Sequence, residues 1–83
     1  MKFWGKIKTE DRIQRDLVQD DTDFPAALVS LCGRFDIGKP IICEKHAAEM
    51  HAFGRTVFYP DDFIEQIDFD TLEIEIINTR KNK

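Results

Sequence analysis

Several features that mark particular protein classes are scarce or absent in this chain. The 83 residues include only two cysteines, four glycines and three prolines. Two cysteines are too few for a disulfide scaffold, and four isolated glycines form no phosphate-binding loop. No apolar run is long enough to span a membrane, and the first residues lack the apolar region of a signal peptide. We therefore expect a cytoplasmic protein with reduced thiols.

Basic residues are missing from residues 61–75, where seven acids occur. Acids and bases balance over the first 60 residues, so the net charge of −4 comes from the C-terminal part of the chain. A surface of this sign repels the phosphates of nucleic acids. Solvated carboxylates are the simplest interpretation of these acids, and a nucleic-acid partner is not favoured.

Apolar residues supply 42% of the chain, among them seven phenylalanines. A chain of this length buries only about 60% of the surface that it exposes when unfolded. We predict a single domain over residues 1–78 and a flexible C-terminal tail over residues 79–83, which are all polar or charged. Small domains often hide further apolar surface by self-association, so we expect a homo-oligomer or another protein as the partner.

The first twenty residues have the alternation of a β-hairpin. One parity holds Phe3, Gly5 and Ile7, and the other holds Trp4, Lys6 and Lys8. The polar stretch 9–11 is turn-like, although it lacks the Asn-Gly or Asp-Gly pair of the tightest hairpins. Ile13 and Leu17 belong to the second strand, which the acidic stretch 20–23 ends.

Residues 24–35 have the clearest helical pattern. Apolar side chains recur at the spacing of one helix face, at Phe24, Ala27, Leu28, Leu31, Cys32 and Phe35. Thr22 or Asp23 can cap the helix, and Pro25 is tolerated in its first turn. Gly38 and Pro40 are expected to end it.

The remaining elements are shorter. Residues 44–53 form a predicted second helix, with a packing face of Ala47, Ala48, Met50 and Phe53 and with Gly54 as its terminator. Residues 55–59 favour a strand, and a single helical turn follows from Pro60. Residues 72–77 form the last predicted strand, in which Leu72, Ile74 and Ile76 face the core and Glu73 and Glu75 face water.

These elements predict an α+β fold. We expect a three- to four-stranded antiparallel sheet with two helices packed on one face, in the order β-β-α-α-(β)-β, where the third strand is present only in the four-stranded form. Such a sheet needs a helix layer to be stable alone.

Cys43 and His46 form the most reactive pair that the sequence offers. Cys43 precedes a helix N-terminus, whose dipole favours a thiolate, and an imidazole three residues later can strengthen this effect. The simpler interpretation places Cys43 in the core after Ile41 and Ile42, with His46 on the surface.

Metal binding is disfavoured by spacing. Cys32, Cys43, His46 and His51 match no standard zinc pattern, and Cys32 already belongs to the apolar stripe. The acids after Pro60 lack the glycine and the terminal bidentate acid that a calcium loop needs in register.

Two further sets of side chains could form a binding site. His46, His51, Arg55 and Tyr59 can meet near the end of the second helix and hold an anionic small molecule, but we favour an Arg55 paired with Asp61 or Asp62. Trp4 with Lys6 and Lys8 imitates a stacking platform for single-stranded nucleic acid, although nearby acids cancel its charge.

Three stretches share a pattern that covers nearly the whole chain. They are Lys2-Phe3-Trp4-Gly5-Lys6-Ile7, Phe53-Gly54-Arg55-Thr56, and residues 59–77 beginning Tyr59-Pro60-Asp61-Asp62-Phe63-Ile64. The pattern resembles a family of short uncharacterised bacterial proteins, mainly from anaerobic Firmicutes. That family has no established activity, so the resemblance implies a bacterial cytoplasmic protein and assigns no catalytic residue.

The leading hypothesis is a non-enzymatic protein-interaction or regulatory domain that self-associates. Trp4 and Ile77 add apolar surface to otherwise polar faces, and no set of catalytic residues converges in the sequence. The alternative is a small ligand-binding protein or a thiol-dependent enzyme that uses Cys43 and His46 or the Arg55 region. We predict no metal site and no cofactor.

Overall fold

Four strands and two helices account for most of the chain. The computed structural model describes residues 1–77, so the tail predicted at 79–83 lies outside the described residues. The strands are β1 (Lys2–Thr9), β2 (Arg12–Asp20), β3 (Arg55–Phe58) and β4 (Thr71–Ile77). The helices are α1 (Phe24–Phe35) and α2 (Glu44–Phe53), and a 3₁₀ turn spans Pro60–Asp62.

The strands form one antiparallel sheet in the order β2-β1-β4-β3. The two helices pack on this sheet, which confirms the predicted α+β class and the third strand. Gly5 lies opposite Ile74 at the centre of the sheet, where β1 passes beneath α1. A Cβ atom at Gly5 would lie 3.1 Å from Leu31 and 3.2 Å from Phe35, so the close approach of helix and sheet depends on this glycine.

The β1–β2 hairpin closes through a two-residue turn. Glu10 and Asp11 both have positive φ, at 54° and 65°. Asn-Gly pairs adopt this conformation most often. Because the sequence has Glu-Asp here instead, it gives only a weak signal for a two-residue turn. The Asp70 carboxylate accepts a hydrogen bond from the Glu10 N–H at 2.7 Å, which ties the turn to the chain before β4.

Helix α1 buries all six residues of its predicted stripe. Asp23 is its N-cap, and the Asp23 carboxylate accepts a hydrogen bond from the Ala26 N–H at 2.9 Å. The helix ends at Phe35 rather than near Gly38, because Asp36 takes the left-handed conformation with φ 62°. The Asp36 N–H then donates to carbonyls of the last turn, as a C-terminal glycine would.

Helix α2 has its predicted bounds but a different packing face. Its buried side chains are His46 and Met50. The predicted packing face is wrong at Ala47, Ala48 and Phe53, which are exposed. The His46 ring stacks on Phe58 of β3 with centroids 4.2 Å apart. This contact fixes the rotation of the helix and turns the two alanines toward solvent.

Candidate interaction surface

The side of the sheet away from the helices carries a paired set of charges. We call it the outer face; its central residues are Trp4, Lys6, Lys8, Glu73 and Glu75. Glu73 lies on this face, as its strand parity predicts, but the expectation that it faces water is wrong, since the residue is only 7% exposed. Lys6, opposite Glu73 on β1, is equally buried.

Ion pairs between β1 and β4 explain how these charges are tolerated. Lys8 Nζ lies 2.8 Å from Glu73 Oε1. Lys6 Nζ lies 2.9 Å from Glu75 Oε1 and 3.6 Å from Glu73 Oε2. Each buried charge therefore has an opposite charge within reach, as buried ions require.

The pKa of Glu73 reflects this balance. Burial alone raises the pKa of the carboxyl group. The hydrogen bond from Lys8 and the charges of Lys6, Lys8 and Arg55 outweigh burial, so the net pKa lies below its ordinary value. Glu73 is thus held as a carboxylate by the side chains around it.

The Trp4 side chain also makes its polar contacts within this network. Its indole Nε1–H donates to Asp16 Oδ2 at 2.8 Å. Lys6 Nζ lies 4.0 Å from the centre of the ring, at cation–π distance. The cations that a nucleic-acid platform would direct at phosphates are therefore paired with Glu73, Glu75 and Trp4. Neither Trp4 nor Ile77, the expected source of apolar surplus, is more than half-exposed.

The simpler interpretation, with Cys43 in the core and His46 on the surface, is wrong for both residues. Cys43 is exposed and His46 is fully buried. The Cys43 backbone N–H donates to His46 Nδ1 at 2.9 Å, so the imidazole caps the start of α2. Since Nδ1 accepts this bond, the neutral ring carries its proton on Nε2.

The other imidazole nitrogen faces the 3₁₀ turn. His46 Nε2 lies 3.4 Å from Asp62 Oδ2, too far for a well-formed hydrogen bond. The same Asp62 oxygen accepts a hydrogen bond from the Tyr59 N–H at 2.9 Å. His46 therefore joins the start of α2 to β3 and to the turn, which is a packing role.

The proposed grouping around Arg55 does not converge. Arg55 lies opposite Glu75 on the outer face, whereas His46 packs on the helix side. The expected pairing of Arg55 with Asp61 or Asp62 is absent from the ion pairs of residues 1–77. Tyr59 instead has Lys45 Nζ 5.5 Å from its ring centre.

Within residues 1–77, no three of the four candidate zinc ligands come together either. Cys32 is buried in the α1 stripe, and burial raises the pKa of its thiol to about 11 despite the nearby Lys39. No three His, Cys, Asp or Glu side chains within residues 1–77 are grouped so that they can hold a metal ion. Four of the seven acids between residues 61 and 75 are exposed, namely Asp61, Glu65, Asp68 and Asp70.

Several exposed apolar side chains lie together on the helix side of the sheet. Two adjoining depressions, of about 340 Å³ and 450 Å³, share Pro25 and Ile42 in their linings. We call this continuous surface the helix-side trough. Its first half includes Val29, Lys39, Ile41 and Ile64, and its second half includes Asp23, Ala47, Met50 and Ile76.

The first half of the trough has the most exposed aliphatic side chains. Val29, Ile41 and Ile64 are 53%, 52% and 81% exposed. Contiguous apolar side chains left open to water commonly mark an interaction site, whereas scattered ones do not. These three lie on one depression although they come from α1 and from two separate loops.

Backbone contacts hold the two loops of this wall together. Pro40 forms an isolated β-bridge with Phe63. The Ile41 N–H donates to the Asp62 carbonyl at 2.9 Å. The bridge brings the two loops together, so that Ile41 and Ile64 line the same depression. Sequence reasoning missed this because the pairing joins residues more than twenty apart.

The lining of the trough also includes charged side chains. Lys39 lines the first half, and Asp23 and His51 line the second half. Both Lys39 and Asp23 are exposed, and neither is in an ion pair with another residue of the described chain. The trough thus has charges of opposite sign in its two halves, and neither is in an ion pair within residues 1–77, although the Asp23 carboxylate also caps α1.

No protein-family model matches this chain, and no curated protein or solved structure matches it either. Within residues 1–77, neither helix has the length and apolar character needed to cross a membrane.

Proposed function

We propose that this chain is a small, non-enzymatic protein-interaction domain of the bacterial cytoplasm, and that the helix-side trough is its binding surface. The observation that carries the proposal is the exposed aliphatic cluster of Val29, Ile41 and Ile64 on one depression. Burying such a cluster against another protein removes apolar surface from water, at roughly 25 cal/mol for each Å².

The position of the binding surface differs from the first expectation. Trp4 and Ile77 motivated the interaction hypothesis, but both belong to the sheet, and Trp4 is occupied by Asp16 and Lys6. The outer face pairs its buried charges internally, so a partner there would have to displace existing ion pairs. The trough has no comparable internal pairing, because its exposed side chains are mostly aliphatic.

The geometry of His46 supports a non-enzymatic role over a thiol-dependent one. A general base for Cys43 needs a free imidazole nitrogen within reach of the sulfur. Here Nδ1 accepts the Cys43 backbone N–H, and Nε2 points toward Asp62. The imidazole is therefore used to begin α2 and to pack on Phe58.

Site-specific photo-crosslinking in producing cells tests the proposal. A photoreactive residue replaces Ile64 in one variant and Ile13 in the matched control; Ile13 is 48% exposed, on β2. We expect the label at position 64 to yield one discrete protein adduct and the label at position 13 to yield none.

Mass spectrometry of the adduct identifies the partner protein. If position 64 gives no adduct, or gives the same diffuse adducts as position 13, the trough is not a binding surface and the proposed function is wrong. An adduct at position 13 alone would move the interface to β2.

A further inference from the structure

The charges and the apolar lining of the helix-side trough indicate which partner it fits. Resting on the proposed function, we propose that the occupant of the trough is a second copy of this chain, bound about a two-fold axis. In such a dimer the same surface of both copies forms the interface, so the surface must be complementary to itself.

Two face-to-face arrangements satisfy a two-fold axis lying in the interface. With the axis along the trough, each half faces the same half of the second copy, and Lys39 faces the second copy's Lys39. With the axis across the trough, each half faces the opposite half, and Lys39 faces the second copy's Asp23. The second arrangement brings opposite charges together twice, and like charges are kept apart.

The crossed arrangement also fits the apolar lining. Pro25 and Ile42 belong to both halves and lie at the axis. In this arrangement the exposed aliphatic wall of the first half, with Val29 and Ile64, faces the second half of the other copy's trough. That second half is lined by Ala47 and Met50. A charged pair at each end and an apolar centre is the usual anatomy of a protein interface.

Other surfaces are poorer sites for a second copy. The β2 edge is open, but a register shift opposite Ile7 and Lys8 interrupts its regularity. Bulges and charged side chains are the common means of blocking edge-to-edge sheet pairing, and β2 carries Arg12, Arg15, Asp16 and Asp20. The outer face already pairs its buried charges.

Sedimentation velocity of the full chain across micromolar to millimolar concentrations tests the dimer. We expect a species of twice the 9.7 kDa chain mass that dissociates on dilution. Ile64→Glu places a charge in the aliphatic wall of the interface and raises the dissociation constant at least about tenfold. Ile13→Glu is the matched control on β2, and it leaves the dissociation constant unchanged.

A charge cycle tests the crossed arrangement itself. Lys39→Glu opposes the second copy's Asp23 and weakens the dimer, more at low salt than at high salt. Asp23→Asn removes that repulsion and keeps the N-cap, because Asn caps as well as Asp. We expect Lys39→Glu to weaken the dimer less in the Asp23→Asn background than in the wild type.

Each of the other outcomes contradicts one specific part of the proposal. A wild-type chain that stays monomeric at millimolar concentration, or a dimer weakened only by Ile13→Glu, contradicts the second-copy inference. Additive effects of Lys39→Glu and Asp23→Asn contradict the crossed arrangement. If the chain is monomeric but the label at position 64 captures one different protein, the dimer is wrong and the proposed function stands. If position 64 captures nothing, both are wrong.

Discussion

Glu73 is a carboxylate that the sheet buries without a helix above it. On a two-layer fold the strand face away from the helices is expected to meet water, and the alternation of β4 supports this expectation. The side chain is nevertheless covered, because Lys6 and Lys8 of the neighbouring strand extend over it and form ion pairs at 2.8–3.6 Å. The parity of Glu73 follows from sequence, but its burial depends on the register of β1 against β4.

Replacing Glu73 tests whether these ion pairs stabilise the fold. Glu73→Gln removes the carboxylate that faces Lys8 and leaves Lys6 with Glu75 alone. We expect the free energy of unfolding to fall by about 1–2 kcal/mol, since a partly buried ammonium group loses its counter-ion. Urea denaturation measures the change. Glu10→Gln is the control, and an equal loss in both variants would contradict a special role for Glu73.

The lowered pKa of Glu73 predicts a pH dependence of the same interaction. A group whose pKa is lower in the folded state stabilises the protein above its unfolded-state pKa, and it loses this effect as the pH falls through the folded-state pKa. The ordinary pKa of the Glu73 carboxyl group is 4.5. Above that pH we expect the wild type to be more stable than Glu73→Gln, and we expect the difference in free energy of unfolding to shrink at lower pH. Urea denaturation of both proteins from neutral to acidic pH measures it. A constant difference would contradict this assignment.

At the scale of elements, α1 and α2 differ in how far the sequence predicts them. The α1 stripe is long, apolar and continuous, so its six core positions are all predictable. Helix α2 has small or polar residues on several faces, and the ring stacking of His46 on Phe58 decides its rotation. That contact joins residues of different elements, and periodicity within one helix cannot reveal it.

The start of α2 offers a direct test of Cys43. This residue is the N-cap in extended conformation, a place where serine is preferred because its hydroxyl accepts backbone hydrogen bonds better than sulfur does. We expect Cys43→Ser to raise the free energy of unfolding by about 0.5–1 kcal/mol. Thermal or urea unfolding measures the effect. A loss of stability would contradict the exposed capping position of Cys43.

The β1–β2 turn holds two residues in a conformation that they disfavour. Glu10 and Asp11 have the positive φ values of a mirror-image turn, which Asn and Gly adopt more readily. We expect the pair Glu10→Asn and Asp11→Gly to raise the free energy of unfolding by about 1 kcal/mol. Urea denaturation against the wild type measures it. No gain would contradict the strain assigned to these two positions, because the Asp70 hydrogen bond to the backbone N–H of residue 10 is kept in the variant.

At the scale of the whole molecule, the two sides of the sheet have different roles. The outer face pairs its buried charges across β1 and β4, whereas the helix side leaves an aliphatic trough with unpaired charges at Lys39 and Asp23. The sequence predicts the fold class, but not the trough. Ile41 and Ile64 line the same depression because the bridge between Pro40 and Phe63 brings their loops together, and local spacing gives no signal for that bridge.

An amide NMR dilution series tests the trough most directly, because it reports which residues change environment as copies separate. We expect concentration-dependent shifts at the amides of residues 26–29, 39, 41, 42 and 64, with the amides of Lys6 and Glu73 unchanged. Shifts confined to the outer face or to β2, or none up to millimolar concentration, would contradict a dimer formed through the helix-side trough.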